Sequence, residues 1–359
     1  MEELPCGGDG VNPFAGGVQD HEPPIGLLGV AVEVDGPLQG VDCGVGMAGV
    51  VVEVGQAKVG VEGSAVEVLA DGKARVRTGT SPHGQGHVTA WAMLVADQLG
   101  IPVEDVEVIH GDTDEVPRGV GTFGSKSLQS GGVAVYQASE QVVEKAKKLA
   151  ADLLEANPND IELDKEHRRF HVAGTPSVTK SWAELVEASG EEGLSAEVDF
   201  EAPGPTFPFG SHIVVAEVDT ETGQVVLERI VAVDDAGRLM NPLIAEGQVH
   251  GGLAQGVAQA LMEEMCYDEQ GNPVTANLAD YAFVSAVELP SFETHQMETP
   301  TPINPLGAKG IGESGTIGST PAVQNAVVDA LWHLGVRHVD MPTTPIRVWS
   351  AIKEAREAR

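Results

Sequence analysis

The pattern of this chain predicts an α+β fold, two lobes of mixed β-sheet packed with helices around a shared cleft. Three observations lead there. Apolar and polar residues alternate on both sides of Asp71-Gly72, a dipeptide that favours the tight turn of a hairpin. A second alternating pair, HIVVAEVD and VVLERIVAVDD, flanks the turn Glu221-Thr222-Gly223. Each pair is followed by a tetrad that reads as a helix start, Gly84-Gln85-Gly86-His87 in the first half and Gly247-Gln248-Val249-His250 in the second. Coincidence competes with true repetition here, because glycine-led helix starts are common.

In chain order, residues 1–44 are rich in Gly, Pro and Asp, lack periodicity and read as a linker. Residues 45–205 form the first lobe and its connector, and residues 206–359 form the second. After the first hairpin, a helix runs through Trp91 to Leu99 and stops at Gly100 and Pro102, and VEDVEVIHGDT reads as a strand. From about Val133 to Glu155, Val135, Ala138, Val142, Ala146, Leu149 and Leu153 make the buried stripe of a long helix, ended by Asn157-Pro158. Residues 156–205 are more polar, with a short strand pair near Ile161 and Phe170 and a small helix at Ser181 to Ala188. That stretch reads as a connector between lobes. In the second lobe, EGQVHGG opens a helix running through Met265. Near the C-terminus, Ser319 and Thr320 offer capping oxygens, Pro321 suits a first helical position, and Val323, Ala326, Val327, Ala330, Leu331 and Leu334 recur at helical spacing.

At 359 residues the chain can bury substantial cores. Its 54 acidic and 21 basic residues give a net charge of -33. Nucleic acid and anionic membrane surfaces are excluded as partners, since phosphate binding needs clustered Lys and Arg. The charge is dispersed, which fits an ordinary acidic cytosolic protein and, better, a halophilic source. No segment approaches the roughly 20 apolar residues of a membrane span, and MEELPCGGDG is no leader, so the expected location is cytoplasmic. Cys6, Cys43 and Cys266 are too few and scattered for a disulfide framework, a zinc site or an iron–sulfur cluster.

The segments with chemical potential are poor in side chains. GAKGIGESGTIG, Gly307 to Gly318, sets one carboxylate, Glu313, in backbone that can approach a ligand closely. The same run also serves as a tight approach to a helix and nothing more. In HGQGH, His83 to His87, backbone N–H groups and the positive end of a helix dipole can receive an anion, and Gln85 can donate an amide hydrogen bond. GTFGSKS, Gly121 to Ser127, combines two glycines with Thr122, Ser125 and Ser127, a run of hydroxyls and amides suited to phosphate oxygens. Its bland alternative has Lys126 in solvent and the serines as caps. Lys309 either assists Glu313 or a ligand, or is simply exposed.

Together with VDDAGRLMNPL and EGQVHGG, these motifs resemble, in order and from about Val45 to the C-terminus, the large catalytic subunits of the molybdenum hydroxylases. These are the xanthine dehydrogenase, aldehyde oxidase and aerobic carbon monoxide dehydrogenase family, and the ending HVDMPTTPIRVWSAI is most similar to the carbon monoxide dehydrogenase-like branch. The resemblance implies a molybdenum–molybdopterin cofactor, in its cytosine dinucleotide form. It implies cofactor contacts from Gly84, Gln85, Gly86 and His87, from Thr122, Phe123, Gly124, Ser125 and Ser127, and from Asn241, Gln248, Lys309 and Gly312. Glu313 matches the family's general base, which takes a proton from the water-derived oxygen that attacks the substrate carbon. No protein side chain is expected to ligate the metal, His87 and His250 included. Electrons would leave to a 2Fe-2S subunit and an FAD subunit. His83 departs from the family, which usually has glutamine there. The family's N-terminal portion, with its substrate-side loop, is not found in this sequence. That loop carries a copper-holding cysteine in the carbon monoxide enzymes, and no cysteine here stands in a matching context, so carbon monoxide is not assigned as substrate. A separate chain bearing that half is an expected partner. The alternative is a non-catalytic remnant or assembly subunit that keeps the fold.

Overall fold

The computed structural model describes residues 61–358, and residues 42–51 as backbone; the segment before Asp42, with most of the expected linker, lies outside these residues. Residues 40–359 form one compact unit. Within it, β1 (Asp42–Val51) comes first and finds its partner far along the chain. The hairpin at Asp71-Gly72 consists of β2 (Glu62–Val68) and β3 (Ala74–Thr78), antiparallel, with Val66 and Val68 facing Ala74 and Val76 into one core. Helix α1 (His87–Leu99) follows and ends at Gly100, whose φ of 67° is the left-handed C-cap that glycine adopts without penalty. Strand β4 (Val106–Ile109) then lies parallel to β3.

A π-helical turn over Leu128–Gly132 leads into α2 (Val133–Leu154), whose stripe of Val133, Val135, Ala138, Val142, Ala146 and Ala150 is fully buried against the sheet. Next come β5 (Ile161–Asp164), β6 (Arg169–Val172) and β7 (Thr175–Ser181), a small antiparallel sheet, and α3 (Trp182–Ser189). Ser181 and Glu184 close a reciprocal capping box on α3. The stretch read as a connector does more than connect: β8 (Leu194–Phe200) returns to pair with β2, completing the sheet β4-β3-β2-β8. Its residues LSAEVDF alternate apolar and polar, a strand signal that the surrounding polarity obscured.

The second sheet has the order β1-β9-β10-β11, built on the hairpin of β9 (Phe209–Val218) and β10 (Val225–Asp235). Helix α4 (Pro242–Leu261) follows, and β11 (Phe292–Met297) lies parallel to β10. Helix α5 (Ser314–Leu331) crosses α4 and lies over β1 and β9, and α6 (Pro345–Glu357) packs on its far end through Val348 and Ile352. β1 pairs with β9 along its whole length, so the sheets cross the division drawn near residue 45. The domain boundaries themselves remain expectations.

Two helix starts differ from the sequence reading. α4 begins at Pro242, capped by the Asn241 side chain, so Gly247 to Gly252 lie inside the helix. The tetrads of the two halves are therefore not equivalent in space. α5 begins at Ser314 and not near Pro321, which sits within it. Ser319 and Thr320 do not cap; their hydroxyls bond back to the carbonyls of Gly315 (2.7 Å) and Thr316 (3.0 Å). The early start is possible because Gly252 of α4 fits against Gly315 and Thr316, where a Cβ would stand 2.9 Å from Thr316 N.

Candidate functional site

Four chain segments meet at one cavity of about 230 Å³. The first is the turn before α1. Gly84 and Gly86 take φ values of 99° and 76°, conformations that favour glycine, and a Cβ on Gly86 would stand 2.8 Å from Ile244 of α4. These two shape the turn without lining the cavity, whereas Gln85 and His87 line it. The Gln85 carboxamide oxygen accepts from the His83 N–H, which leaves its NH₂ group to face a ligand. His87 is buried, stacks on Trp91 with ring centroids 5.1 Å apart, and has no partner for Nδ1. Burial, reinforced by His110 and His83, lowers its pKa to about 4, so the ring is neutral at pH 7.

The second segment is the loop at 121–127, from which Thr122, Phe123, Gly124, Ser125 and Ser127 all line the cavity. Lys126 is not in solvent. It is 2% exposed, bonds Glu62 Oε1 at 2.8 Å and lies over the Phe123 ring, so it anchors the loop to the first strand of the hairpin. Ser127 donates to Thr122 Oγ1 at 3.2 Å. Ser125 stands at φ 53°, a left-handed conformation that costs a non-glycine residue on the order of 1 kcal/mol.

The third and fourth segments, 236–241 and 307–313, are zipped together: Lys309 N–H bonds Ala236 O at 2.8 Å and Arg238 N–H bonds Gly307 O at 3.0 Å. Lys309 lines the cavity but is not an exposed lysine. Its ammonium is committed to the buried Asp235 carboxylate at 2.9 Å. Asn241 spends its side-chain oxygen capping α4 at Ile244 N–H, 3.1 Å away, and its NH₂ points to Met93 Sδ. Gln248, Gly312 and Glu313 complete the wall; a Cβ on Gly312 would lie 3.3 Å from Ser125 Oγ and 3.8 Å from Gln248 Oε1. Glu313 is the N-cap residue of α5, and Ser125 Oγ meets both its carboxylate (2.7 Å) and its N–H (3.0 Å).

Sequence reasoning passed over Arg238, which lines the cavity from within a motif already singled out. A lone cation beside a glycine turn was the available signal. Neither α1 nor α5 has a side-chain cap. The first N–H groups of α1, the Thr122 hydroxyl and Arg238 make a donor set that fits an anionic, oxygen-rich ligand such as a pterin dinucleotide, with His87 Nδ1 unpaired beside them. Among the described residues no cluster of His, Cys, Asp and Glu is arranged to hold a metal ion.

A family model for the molybdopterin cofactor-binding domain matches residues 31–290. The carbon monoxide dehydrogenase large chain of Hydrogenophaga pseudoflava is 43% identical over 296 residues, 80% of this chain and 37% of that one. The nicotine 6-hydroxylase large subunit of Paenarthrobacter nicotinovorans is 35% identical over 298 residues, 80% of this chain and 36% of that one. Among solved structures, Cu,Mo-CO dehydrogenase in its carbon monoxide reduced state superposes with a TM-score of 0.79 and 37% identity over 87% of this chain and 41% of that one. Quinoline 2-oxidoreductase from Pseudomonas putida 86 gives a TM-score of 0.79 and 33% identity over 87% of this chain and 42% of that one. The chain thus spans well under half the length of the proteins it matches. It belongs to the molybdopterin cofactor-binding domain family of the molybdenum hydroxylases, on the side of carbon monoxide dehydrogenase.

Proposed function

We propose that this chain is the C-terminal, molybdopterin-binding portion of a molybdenum-dependent hydroxylase that adds water-derived oxygen to an aldehyde, an N-heterocycle or carbon monoxide. The observation that carries the reading is the shared cavity, where Glu313 stands with Gln248 and Gln85 beside the start of α1 and the loop at 121–127. Bound there, the molybdenum–pterin group would supply a two-electron sink. Glu313 then serves as general base, its backbone held at the head of α5. The amides of Gln85 and Gln248 would hold polar atoms of the group, while the Thr122 hydroxyl and the start of α1 would receive the dinucleotide, in the cytosine form. Arg238 neutralises phosphate charge at the rim.

At about 230 Å³ the cavity is smaller than the roughly 300–1,000 Å³ of usual ligand sites. That supports a site finished by another chain, one bearing the remaining portion of the large subunit. Iron–sulfur and FAD chains are the further partners, and the cytoplasm of a halophilic cell is the proposed setting. The test is copurification: molybdenum should be stoichiometric with the chain, and Glu313→Gln should lower kcat by roughly a hundred- to ten-thousand-fold with metal retained. Full turnover in that variant removes the base assignment. A complex without molybdenum under any preparation marks the chain as a non-catalytic remnant.

A further inference from the structure

We infer that Ser125 is the positioning residue for Glu313, and that its hydroxyl is therefore not a phosphate ligand of the cofactor. The inference rests on the reading of Glu313 as base but stands on the hydrogen-bond bookkeeping of the loop at 121–127. A serine hydroxyl has one proton to donate and two lone pairs to accept with. The Ser125 proton goes to Glu313 Oε2 at 2.7 Å, and one lone pair receives the Glu313 N–H at 3.0 Å. A phosphate oxygen only accepts, so it has nothing to take from Ser125 while this clasp is closed. The remaining lone pair suits a donor, such as a pterin N–H. Ser127 is spent in the same way on Thr122 Oγ1. Of the three hydroxyls, the Thr122 proton is the one left for an anionic oxygen.

Both sides of the clasp are fixed from beneath. Lys126, the next residue, is pinned to Glu62, and Lys309, four residues before Glu313, is pinned to Asp235; all four side chains are at most 7% exposed. Between them Gly310 passes so close to Ser125 that a Cβ would stand 2.7 Å from the serine Cβ. Ser125 stands at φ 53°, where glycine would relieve the backbone but would bring no hydroxyl to aim the carboxylate.

Ser125→Gly is the informative variant, since it keeps the backbone conformation and removes only the clasp. Ser125→Ala is the companion that keeps Cβ. In crystals of the full chain, wild-type Glu313 should hold one carboxylate orientation on Ser125, and both variants should show it splayed. In the assembled, metal-loaded complex kcat should fall ten- to a hundredfold, with KM, molybdenum and pterin content unchanged. A carboxylate that keeps its place in Ser125→Gly overturns the inference. So does a loss of pterin in step with activity, which would make Ser125 a cofactor ligand. An unaffected Glu313→Gln enzyme would instead sink the base assignment and leave the crystallographic outcome to be judged alone.

Discussion

His87 shows how burial, aided by the neighbouring His110 and His83, sets the behaviour of a single group. Its folded pKa of about 4 lies below the ordinary 6.5, so between those values the unfolded chain binds a proton that the folded chain refuses. The sign follows: stability present above pH 6.5 is lost as pH falls toward 4, by on the order of 3 kcal/mol. Urea unfolding at pH 7 and pH 4.5 should show this loss for the wild type and a flatter limb for His87→Gln. Equal slopes would mean the ring finds a partner or water in solution. The same scale shows what a sequence conceals. Glu313 and Gln85 are readable because glycines strip their surroundings bare. The burial of Lys126 and Lys309 is not, because the carboxylates that receive them, Glu62 and Asp235, stand 64 and 74 positions away. A lysine in a glycine loop reads as exposed until its distant partner is known.

Elements were legible where periodicity was strong. Both hairpins and the helices α1 and α2 follow from alternation or a helical stripe with glycine stops. The start of α4 is set by the Asn241 cap and Pro242 upstream of the glycines, whereas α5 starts early, without a side-chain cap, because packing against α4 decides where the two helices cross. Gly252 and Gly256 of α4 face the backbone of α5, where a Cβ on either would come within 3.0 Å of main-chain atoms. Gly251 lies beside them on the open side with nothing within 4 Å. Gly252→Ala should therefore destabilise by about 1–3 kcal/mol through overpacking. Gly251→Ala should be neutral or stabilise by up to about 1 kcal/mol through helix propensity. Thermal unfolding of the pair decides it, and equal shifts would show that the crossing adapts. Strand β11, reading FETHQM, carries too little alternation to be found without its parallel neighbour β10.

At the scale of the whole molecule the charge of -33 acts everywhere at once. Ion pairs such as Arg118 with Glu197 and Asp199 are exposed and contribute little individually. Repulsion among the surplus carboxylates is long-ranged and screened by salt, so the thermal midpoint should rise steadily from low salt to about 1 M. A midpoint that falls with salt would show the surface pairs outweighing the repulsion. The pairing of β1 with β9 bears on any attempt to divide the protein. A fragment begun near residue 206 would keep α4, α5 and Glu313 yet leave the flank of β9 unzipped over ten residues. Its bare amides would then recruit whatever strand came by, and clumping rather than cofactor capture would follow.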